Sequence, residues 1–235
     1  MLAILSDIHG NLPALEAVMR DALSRRCTRF ISLGDVAGYY AQPGECIDIL
    51  REHDTTNIMG NHDSYLVSET NCPRSKVVAA IIEYHKTITD ESQKEWLRRS
   101  LPFLRESDRL YVHGGPVDPR DQYLYNVSER TMPDGVGYLF AGHTHIQALV
   151  RFATGTFCNP GSIGQPRDGD PRAAYATIDE DVIATHRVEY DIDRTAAAMR
   201  TAGFDAFHYE NLYIGAQIGG RIDKITITSA GKKER

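Results

Sequence analysis

Short apolar runs alternate with helical patterns over the first sixty residues of the chain. Apolar runs at Leu2–Ser6, Phe30–Leu33 and Thr55–Met59 predict three strands, and apolar residues at helical spacing predict helices that begin near Pro13 and over Pro43–His53. A βαβαβ order implies parallel strands joined by right-handed crossovers. The first part of the chain therefore predicts an α/β fold with a parallel sheet.

The pattern changes after residue 60. Helices are predicted over Lys76–Lys86, Asp90–Leu101 and Asp193–Ala202, the second with Asp90 as its N-cap. Later strands are predicted over Arg109–Val112, Val136–Ala141, Ile146–Phe152, Ala173–Asp179 and Val182–Asp191. Because no internal repeat or linker divides it, the chain predicts one domain over residues 1–235, with mixed sheets and a polar, frayed tail at Ala230–Arg235.

Composition restricts the class of protein. The chain has 235 residues, of which 42% are hydrophobic and 25% are charged, close to the average of globular proteins. The longest unbroken apolar run, Val77–Ile82, is far shorter than the ~20 residues that span a bilayer. The N-terminal sequence MLAILSD lacks the basic region of a signal peptide. These features predict a cytoplasmic protein without a membrane partner and exclude fibrous and disordered classes.

The cysteines and the net charge narrow the candidate chemistry. The four cysteines form no C-x-x-C pair, which is typical of a reducing compartment and argues against a disulfide or zinc–thiolate framework. The formal net charge of −6 disfavours nucleic acid as a partner, because a basic surface supplies most of the affinity for nucleic acid.

Five predicted strands each run directly into a polar cluster that contains glycine. The clusters are Asp7-Ile8-His9-Gly10-Asn11, Gly34-Asp35, Gly60-Asn61-His62-Asp63, His113-Gly114 and Gly142-His143-Thr144-His145. Open α/β sheets bind ligands beyond the carboxyl ends of their strands, and glycine permits sharp turns there. Each cluster alone is a common turn sequence, but together they bring three aspartates, two asparagines and five of the nine histidines toward one point. The sequence therefore predicts a metal site.

In chain order the clusters read DIHG, GD, GNHD, HG and GHTH, which resembles the calcineurin-like metallophosphoesterase superfamily. Segments 7–18 (DIHGNLPALEAV), 34–40 (GDVAGYY) and 159–176 (NPGSIGQPRDGDPRAAYA) resemble its small bacterial and archaeal phosphodiesterase-like branch. The resemblance implies a four-layer αββα sandwich of two mixed β-sheets flanked by helices. It covers residues 1–176 and leaves residues 177–229 as a C-terminal extension of strand and helix.

The resemblance also implies a centre of two divalent metal ions. It assigns the first ion to Asp7, His9 and His145, the second to Asn61, His113 and His143, and the bridge between them to Asp35. Imidazole, carboxylate and amide oxygen donors without a thiolate suit Mn²⁺, Fe or Zn²⁺ rather than Ca²⁺. We expect Mn²⁺, with Fe, Zn, Ni or Co as alternatives, and a bridging hydroxide that attacks phosphorus.

His62 and Asp63 are the candidate catalytic residues, His62 by the same resemblance and Asp63 because it is next in sequence. His62 is expected either to protonate the leaving oxygen or to stabilise the charged transition state, and Asp63 is a candidate to orient the His62 imidazole. Candidate substrate contacts are Asn11, Tyr39 and Arg167, for which helix capping, aromatic packing and a solvated arginine are the respective alternatives.

Two further features lie outside the five clusters. The helical region 74–101 is either a lid over the pocket or packing against the sheet. The histidines outside the five clusters are interpreted as structural or surface residues: His53, His85, His186 and His208.

These residues predict an enzyme that hydrolyses a P–O bond of a small phosphate ester. A phosphodiester is favoured, with a phosphomonoester or a dinucleoside polyphosphate as alternatives. A non-catalytic scaffold or a nucleotide sensor on the same fold is an alternative of another class, although the sequence keeps every ligand position. The charge of −6 does not oppose an anionic substrate, because two dications outweigh the carboxylates and hydroxide within the pocket.

The sequence does not determine the oligomeric state. The helix Asp193–Ala202 and the aromatic stretch Phe204–Tyr213 either cover the core or form a homodimer contact.

Overall fold

The computed structural model describes residues 1–228, so the tail predicted at Ala230–Arg235 lies outside the described residues. Its strands are β1 (Leu2–Leu5), β2 (Arg29–Ser32), β3 (Thr56–Asn57), β4 (Leu104–Glu106), β5 (Arg109–Val112), β6 (Asn126–Val127), β7 (Tyr138–Ala141), β8 (Ala148–Phe152), β9 (Gly155–Asn159), β10 (Ala173–Asp179), β11 (Val182–Val188) and β12 (Thr226–Ile227). Its α-helices are α1 (Leu12–Ser24), α2 (Pro43–Glu52), α3 (Asn61–Val67), α4 (Lys76–Ile88), α5 (Glu91–Arg98) and α6 (Ile192–Thr201). Short 3₁₀ helices lie at Glu129–Thr131, Ala206–His208 and Glu210–Ile214.

The first sheet has five strands in the order β11-β10-β1-β2-β3. β1, β2 and β3 are parallel, whereas β10 pairs antiparallel with β1, and β11 pairs antiparallel with β10. This arrangement confirms the parallel order that the sequence predicts for the three early strands. The helices α1 and α2 cover the outer face of this sheet, where Leu5, Leu15, Val18 and Ile47 are fully buried.

The second sheet has five strands in the order β4-β5-β7-β9-β8. β5, β7 and β9 are parallel, and both edge strands are antiparallel to their neighbours. The sequence pattern does not predict β4 or β9. β4 has only three residues, and β9 begins at Gly155 and ends at Asn159, two residue types that are rare in strands.

The two sheets pack face to face over an apolar core. Ile4 and Ile31 of the first sheet lie in the same buried cluster as Tyr111, Phe140 and Cys158 of the second. The rings of Tyr111 and Phe140 are stacked with their centroids 4.8 Å apart. Burial of these side chains holds the two sets of strand ends next to each other, and the candidate ligands follow those ends.

Helices and loops flank the packed sheets, and the two mixed sheets with the six α-helices of residues 1–228 confirm the predicted αββα class. Outside the second sheet the covering layer consists of loops and the 3₁₀ helix Glu129–Thr131, which bury Leu124, Val127 and Met132 against the sheet. Within residues 1–228, no helix has both the length and the apolar character that crossing a membrane requires.

The C-terminal extension packs over the loop that follows β2. Ala196 and Met199 of α6 and Leu212 beyond it lie in one buried cluster with Tyr40 of that loop. Of the two roles left open for this extension, covering the core is the one that these contacts support. The homodimer contact stays a prediction.

Candidate metal centre

Loops that follow β1, β2, β3, β5 and β7 meet at one place and bring the predicted metal ligands together. All of them are at most 5% exposed: Asp7, His9, Asp35, Asn61, His113, His143 and His145. Three groups have ligand atoms within 4.8 Å of one another, namely Asp7 with His9 and His145, His9 with Asp35 and His62, and Asp35 with His113 and His143. The strand ends therefore converge as the sequence predicts.

The ligand residues themselves take the left-handed backbone conformation. Their φ angles lie between 52° and 65° at five positions: Asp7, His9, Asp35, His143 and His145. Residues other than glycine rarely adopt this conformation, and such strain concentrates at functional sites. Backbone hydrogen bonds between the loops hold it, because the Asp7 N–H donates to Gly34 O (3.0 Å) and the His9 N–H donates to Asp35 O (2.9 Å).

The first group of ligands is built around Asp7. Its Oδ1 lies 3.3 Å from His145 Nε2 and 3.8 Å from His9 Nε2. The two Nε2 atoms lie 3.1 Å apart. His9 Nδ1 donates to Ala37 O (2.8 Å) and His145 Nδ1 donates to Gln165 O (2.7 Å). Since a carbonyl oxygen only accepts, each Nδ1 carries the hydrogen and each Nε2 presents a lone pair to the group.

The second group is built around His113. Its Nδ1 donates to Leu33 O (3.0 Å), and its Nε2 lies 3.1 Å from Asn61 Oδ1 and 3.0 Å from His143 Nδ1. The backbone N–H of His143 donates to Asp7 Oδ2 (3.0 Å), so this group is tied directly to the first.

Asp35 lies between the two groups. Its Oδ2 is 3.4 Å from His113 Nε2 and 3.8 Å from His9 Nε2, while its Oδ1 accepts from the His62 backbone N–H (2.8 Å). A side chain at Gly60 would place its Cβ 2.1 Å from Asp35 Oδ1, so only glycine fits there. One carboxylate therefore faces nitrogen atoms of both groups.

The arrangement of these donors fits divalent cations. Lone pairs of His9 and His145 point at each other across 3.1 Å, which is unfavourable unless a cation accepts both of them. Asp7 Oδ1, His143 Nε2 and His62 Nδ1 are buried and have no hydrogen-bond partner among the described residues. Imidazole and carboxylate donors without a thiolate suit Mn²⁺, Fe or Zn²⁺. The residues that are present can therefore hold the metal that the sequence predicts.

Burial and mutual proximity set the charges of these groups. Burial lowers the pKa of His9, His143 and His145 below the ordinary value of a histidine, which keeps their lone pairs available at neutral pH. Burial would also lower the pKa of His113, but the charge of Asp35 outweighs it and raises that pKa to about 9. A cation bound at His113 would therefore displace a proton.

The candidate catalytic residue His62 sits beside Asp35 at the start of α3. Its Nε2 lies 4.0 Å from Asp35 Oδ2, and its ring centroid is 5.0 Å from that of Tyr39. Burial lowers the pKa of His62 to about 4, more than Asp35 can raise it. The imidazole is therefore neutral at pH 7, which favours stabilisation of charge over proton donation between the two predicted roles.

Asp63 has different partners from those that the sequence suggests. Its Oδ1 accepts from the Ala37 N–H (2.9 Å) and its Oδ2 accepts from the Gly60 N–H (3.4 Å), and no hydrogen bond between Asp63 and His62 occurs within residues 1–228. Burial, reinforced by the charge of Asp35, raises the pKa of Asp63 to about 7. The expectation that Asp63 orients the His62 ring is replaced by a role in fixing two loop backbones.

Both polar atoms of the Asn11 side-chain amide form hydrogen bonds within the protein. Oδ1 accepts from the Ala14 N–H (3.4 Å) and the Thr195 hydroxyl (2.7 Å), and Nδ2 donates to Gly164 O (2.8 Å) and to the Tyr190 hydroxyl (3.2 Å). No hydrogen-bonding atom is left for a substrate. We therefore assign Asn11 to helix capping, the structural alternative, and omit it from the substrate contacts.

Tyr39 and Arg167 do lie beside the candidate ligands. The Tyr39 ring meets the His9 ring edge to face at 4.6 Å. Arg167 is only 6% exposed, its Nη2 donates to the Tyr39 hydroxyl (3.0 Å), and its backbone N–H donates to His145 O (3.2 Å). The alternative of a solvated arginine is therefore wrong, whereas substrate contact by either side chain stays a prediction.

His85 supports the loop that carries Tyr39. Its Nε2 donates to Tyr40 O (2.7 Å), and its Nδ1 accepts from the Gly38 N–H (3.3 Å). His85 is fully buried on α4, within the predicted helical region 74–101. That region packs against the loops of the centre, and His85 has the structural role predicted for it, with a direct effect on the position of Tyr39.

Sequence reasoning did not single out Tyr123 and Tyr125. Tyr123 stacks on the His143 ring with centroids 3.8 Å apart, and Tyr125 stacks on Tyr123 at 5.5 Å. Their spacing of two residues places both on one side of an extended segment, and this spacing was the available signal.

Replacing Gly164 with alanine should lower the free energy of unfolding by about 3 kcal/mol. The Gly164 N–H donates to Asp7 O (2.9 Å), and an added Cβ would lie 1.9 Å from Ile8 O, so the ligand loop must shift. Urea denaturation measures the loss. Gly203→Ala is the control, because its φ is +87° but its Cβ meets no atom within 4 Å, and we expect about 1 kcal/mol from the backbone alone. Equal losses in both variants would contradict this account.

Comparison with known proteins identifies the fold that carries this centre. A profile of the calcineurin-like phosphoesterase superfamily domain matches residues 1–181. The chain belongs to this family. It is a metallophosphoesterase, a hydrolase that acts on phosphoric ester bonds, as the sequence predicts.

Relatives of this metallophosphoesterase include bacterial and archaeal proteins. An uncharacterized protein of Methanocaldococcus jannaschii is 30% identical over 240 residues, which cover 92% of this chain and 98% of that protein. The phosphodiesterase YfcE of Escherichia coli is 28% identical over 194 residues, which cover 78% and 89%. The crystal structure of a metallophosphoesterase from Sphaerobacter thermophilus matches with a TM-score of 0.80 and 31% identity, over 91% of this chain and 99% of that one.

Proposed function

We propose that this metallophosphoesterase hydrolyses a P–O bond of a small phosphodiester at a centre of two divalent cations. The observation that carries the proposal is the position of Asp35, whose Oδ2 faces His9 Nε2 at 3.8 Å and His113 Nε2 at 3.4 Å. A single carboxylate oxygen between two sets of donors is what a shared ligand of two cations requires. The relative named as a phosphodiesterase supports a diester over a monoester.

Each proposed cation has its own set of ligands. Asp7, His9 and His145 would hold one, Asn61, His113 and His143 the other, and Asp35 would contact both. Mn²⁺ is the proposed metal, with Fe, Zn, Ni or Co as alternatives, because the set combines imidazole with oxygen donors and contains no thiolate. When bound, two such cations increase the acidity of the attacking water and neutralise charge on the phosphoryl oxygens.

His62 would act on the phosphoryl group from beside Asp35. A neutral imidazole with a pKa of about 4 donates an N–H hydrogen bond without requiring a proton from solution. His62 is 6% exposed, so this hydrogen bond would form in a site from which most water is excluded. Under such conditions a donor aimed at developing negative charge contributes strongly to catalysis.

Arg167 would orient the phosphate. Its guanidinium is buried, and its partners within the described part of the chain are the neutral groups Gln165 Oε1 and the Tyr39 hydroxyl. A buried cation without a carboxylate partner is costly unless an anion completes the site. A phosphate oxygen is the anion that the proposed reaction supplies, and the planar guanidinium matches it.

Replacing Arg167 with methionine should raise KM for a phosphodiester by about tenfold to a hundredfold, because a charge-assisted hydrogen bond to the substrate is lost. Steady-state kinetics with bis-p-nitrophenyl phosphate measure the change. Arg99→Met, on the exposed end of α5, is the control and should leave KM unchanged. A change in kcat alone would contradict a role in binding the phosphate.

The proposed function is tested by comparing bis-p-nitrophenyl phosphate with p-nitrophenyl phosphate in the presence of Mn²⁺, Ni²⁺, Co²⁺ or Zn²⁺, together with metal analysis. We expect two cations per chain and faster cleavage of the diester. Cleavage of the monoester alone would make the enzyme a phosphomonoesterase. Full activity with one bound cation would overturn the dinuclear centre.

A further inference from the structure

A cavity of about 420 Å³ opens beside the candidate metal centre. Two tyrosines of its lining contact candidate ligands: Tyr39 lies against His9, and Tyr123 lies against His143. Gln165 and Arg167 provide polar groups in the lining. Its volume falls within the range of about 300–1,000 Å³ that is typical of small-ligand sites. The cavity therefore borders both groups of candidate ligands and has room for a substituent of the substrate.

A series of stacked rings runs along this cavity from the centre. The Tyr123 ring lies 3.8 Å from the His143 ring at an angle of 28°, and the Tyr125 ring lies 5.5 Å from Tyr123 at an angle of 6°. Tyr123 is 44% exposed and lines the cavity. Tyr123 and the half-buried Tyr125 both line the cavity, and their parallel rings form a platform on which a flat ligand group can stack.

The positive charge of Arg167 lies at the end of the cavity near Tyr39 and indicates which group the rest of the ligand carries. Arg167 lies with its guanidinium carbon 5.4 Å from the Tyr39 ring centroid and forms no ion pair with an aspartate or glutamate of residues 1–228. A ligand that fits both features carries an anionic group at Arg167 and a planar apolar group at Tyr123. An aliphatic ester would meet the arginine but gain no stacking.

We propose that the cavity binds the aromatic group of a phosphoester, either an aryl ring or a nucleobase, by stacking on Tyr123 and Tyr125 while the phosphate lies between Arg167 and the metal ligands. The inference rests on the proposed phosphodiesterase function and names its substrate class. Phe207, Gln217 and Ile218 line the same cavity, so the C-terminal extension helps to select the substrate.

Calorimetric binding to the metal-loaded enzyme tests the inference without turnover. Phenylphosphonate is compared with methylphosphonate, and adenosine 5′-monophosphate with ribose 5-phosphate, so that the two arms distinguish an aryl ring from a nucleobase. We expect the aromatic member of at least one pair to bind about tenfold more tightly, in line with stacking on aromatic side chains. Equal affinities in both pairs, or no binding of any of the four ligands, would overturn the inference.

Variants show whether the tyrosines carry the preference. Tyr123→Leu and Tyr125→Leu should each reduce it at least threefold. Tyr213→Leu, a tyrosine of similar exposure (47%) outside the cavity, should retain it. Because Tyr123 touches His143, metal content is measured in each variant, and Tyr125→Leu gives an independent result. A preference that persists in both cavity variants would contradict the proposal.

A kinetic comparison separates this inference from the function on which it rests. The p-nitrophenyl ester of thymidine 5′-monophosphate and methyl p-nitrophenyl phosphate share a leaving group, and we expect a lower KM for the nucleoside ester. Absence of metal-dependent hydrolysis of either ester would refute the proposed function. Equal KM values with normal turnover would refute only stacking of a nucleobase, because both esters also carry a p-nitrophenyl ring.

Discussion

His62→Ala should lower kcat by about 10²–10⁴-fold while both cations stay bound. The His62 ring lies beside Asp35, and the Asp7 and His113 groups each keep three other donors when it is removed. The variant removes one hydrogen-bond donor from a buried site, so the loss should fall on turnover rather than on metal affinity. Steady-state kinetics and metal analysis on the same preparation measure both quantities.

The matched control is His53→Ala, which removes a histidine that lies outside the centre. His62 also belongs to a possible group with His9 and Asp35, and metal analysis distinguishes the two roles. If His62→Ala loses one cation per chain while activity per bound cation is unchanged, His62 is a ligand and the proposed role is wrong.

Asp35→Asn should reduce the affinity for divalent cations by at least about a hundredfold and lower activity in proportion. The substitution keeps an oxygen that can accept from the His62 N–H, now 2.8 Å from Asp35 Oδ1, but removes the negative charge that faces His9 and His113. Without that charge, neither group of ligands is complete. Titration with Mn²⁺ followed by calorimetry measures the affinity.

Asp63→Asn provides the control for Asp35→Asn, because Asp63 is equally buried but bonds to the Ala37 and Gly60 backbones. We expect it to lower the free energy of unfolding without changing the number of bound cations. In the presence of a chelator, Asp35→Asn should unfold at nearly the wild-type temperature. Retention of two tightly bound cations by Asp35→Asn would exclude a shared carboxylate.

The order of elements and the choice of ligands follow from local patterns. Each ligand cluster is an apolar strand followed directly by a glycine-bearing turn, and both halves of this signal lie within about ten residues of sequence. Parallel β1, β2 and β3 then put their carboxyl ends at one edge. For that reason the candidate ligands, including Asp7, Asp35 and His143, could be named from the sequence.

Partners that are distant along the chain could not be named in this way. Asn11 forms hydrogen bonds with Gly164 and Thr195, which lie 153 and 184 residues further along the chain. These bonds occupy its amide, so Asn11 caps α1 and does not bind substrate. Asp63 was paired with its neighbour His62 on adjacency alone, whereas its carboxylate bonds to Ala37 in another loop.

The left-handed backbone of the ligand residues depends on the same long-range contacts. A residue such as Asp7 takes a φ of 52° only because hydrogen bonds from neighbouring loops outweigh its steric cost. The stack of His143, Tyr123 and Tyr125 likewise joins separate segments of chain. Local sequence therefore specified which side chains reach the centre, and tertiary packing decided which way they point and what lies next to them, because both depend on contacts between residues far apart in the chain.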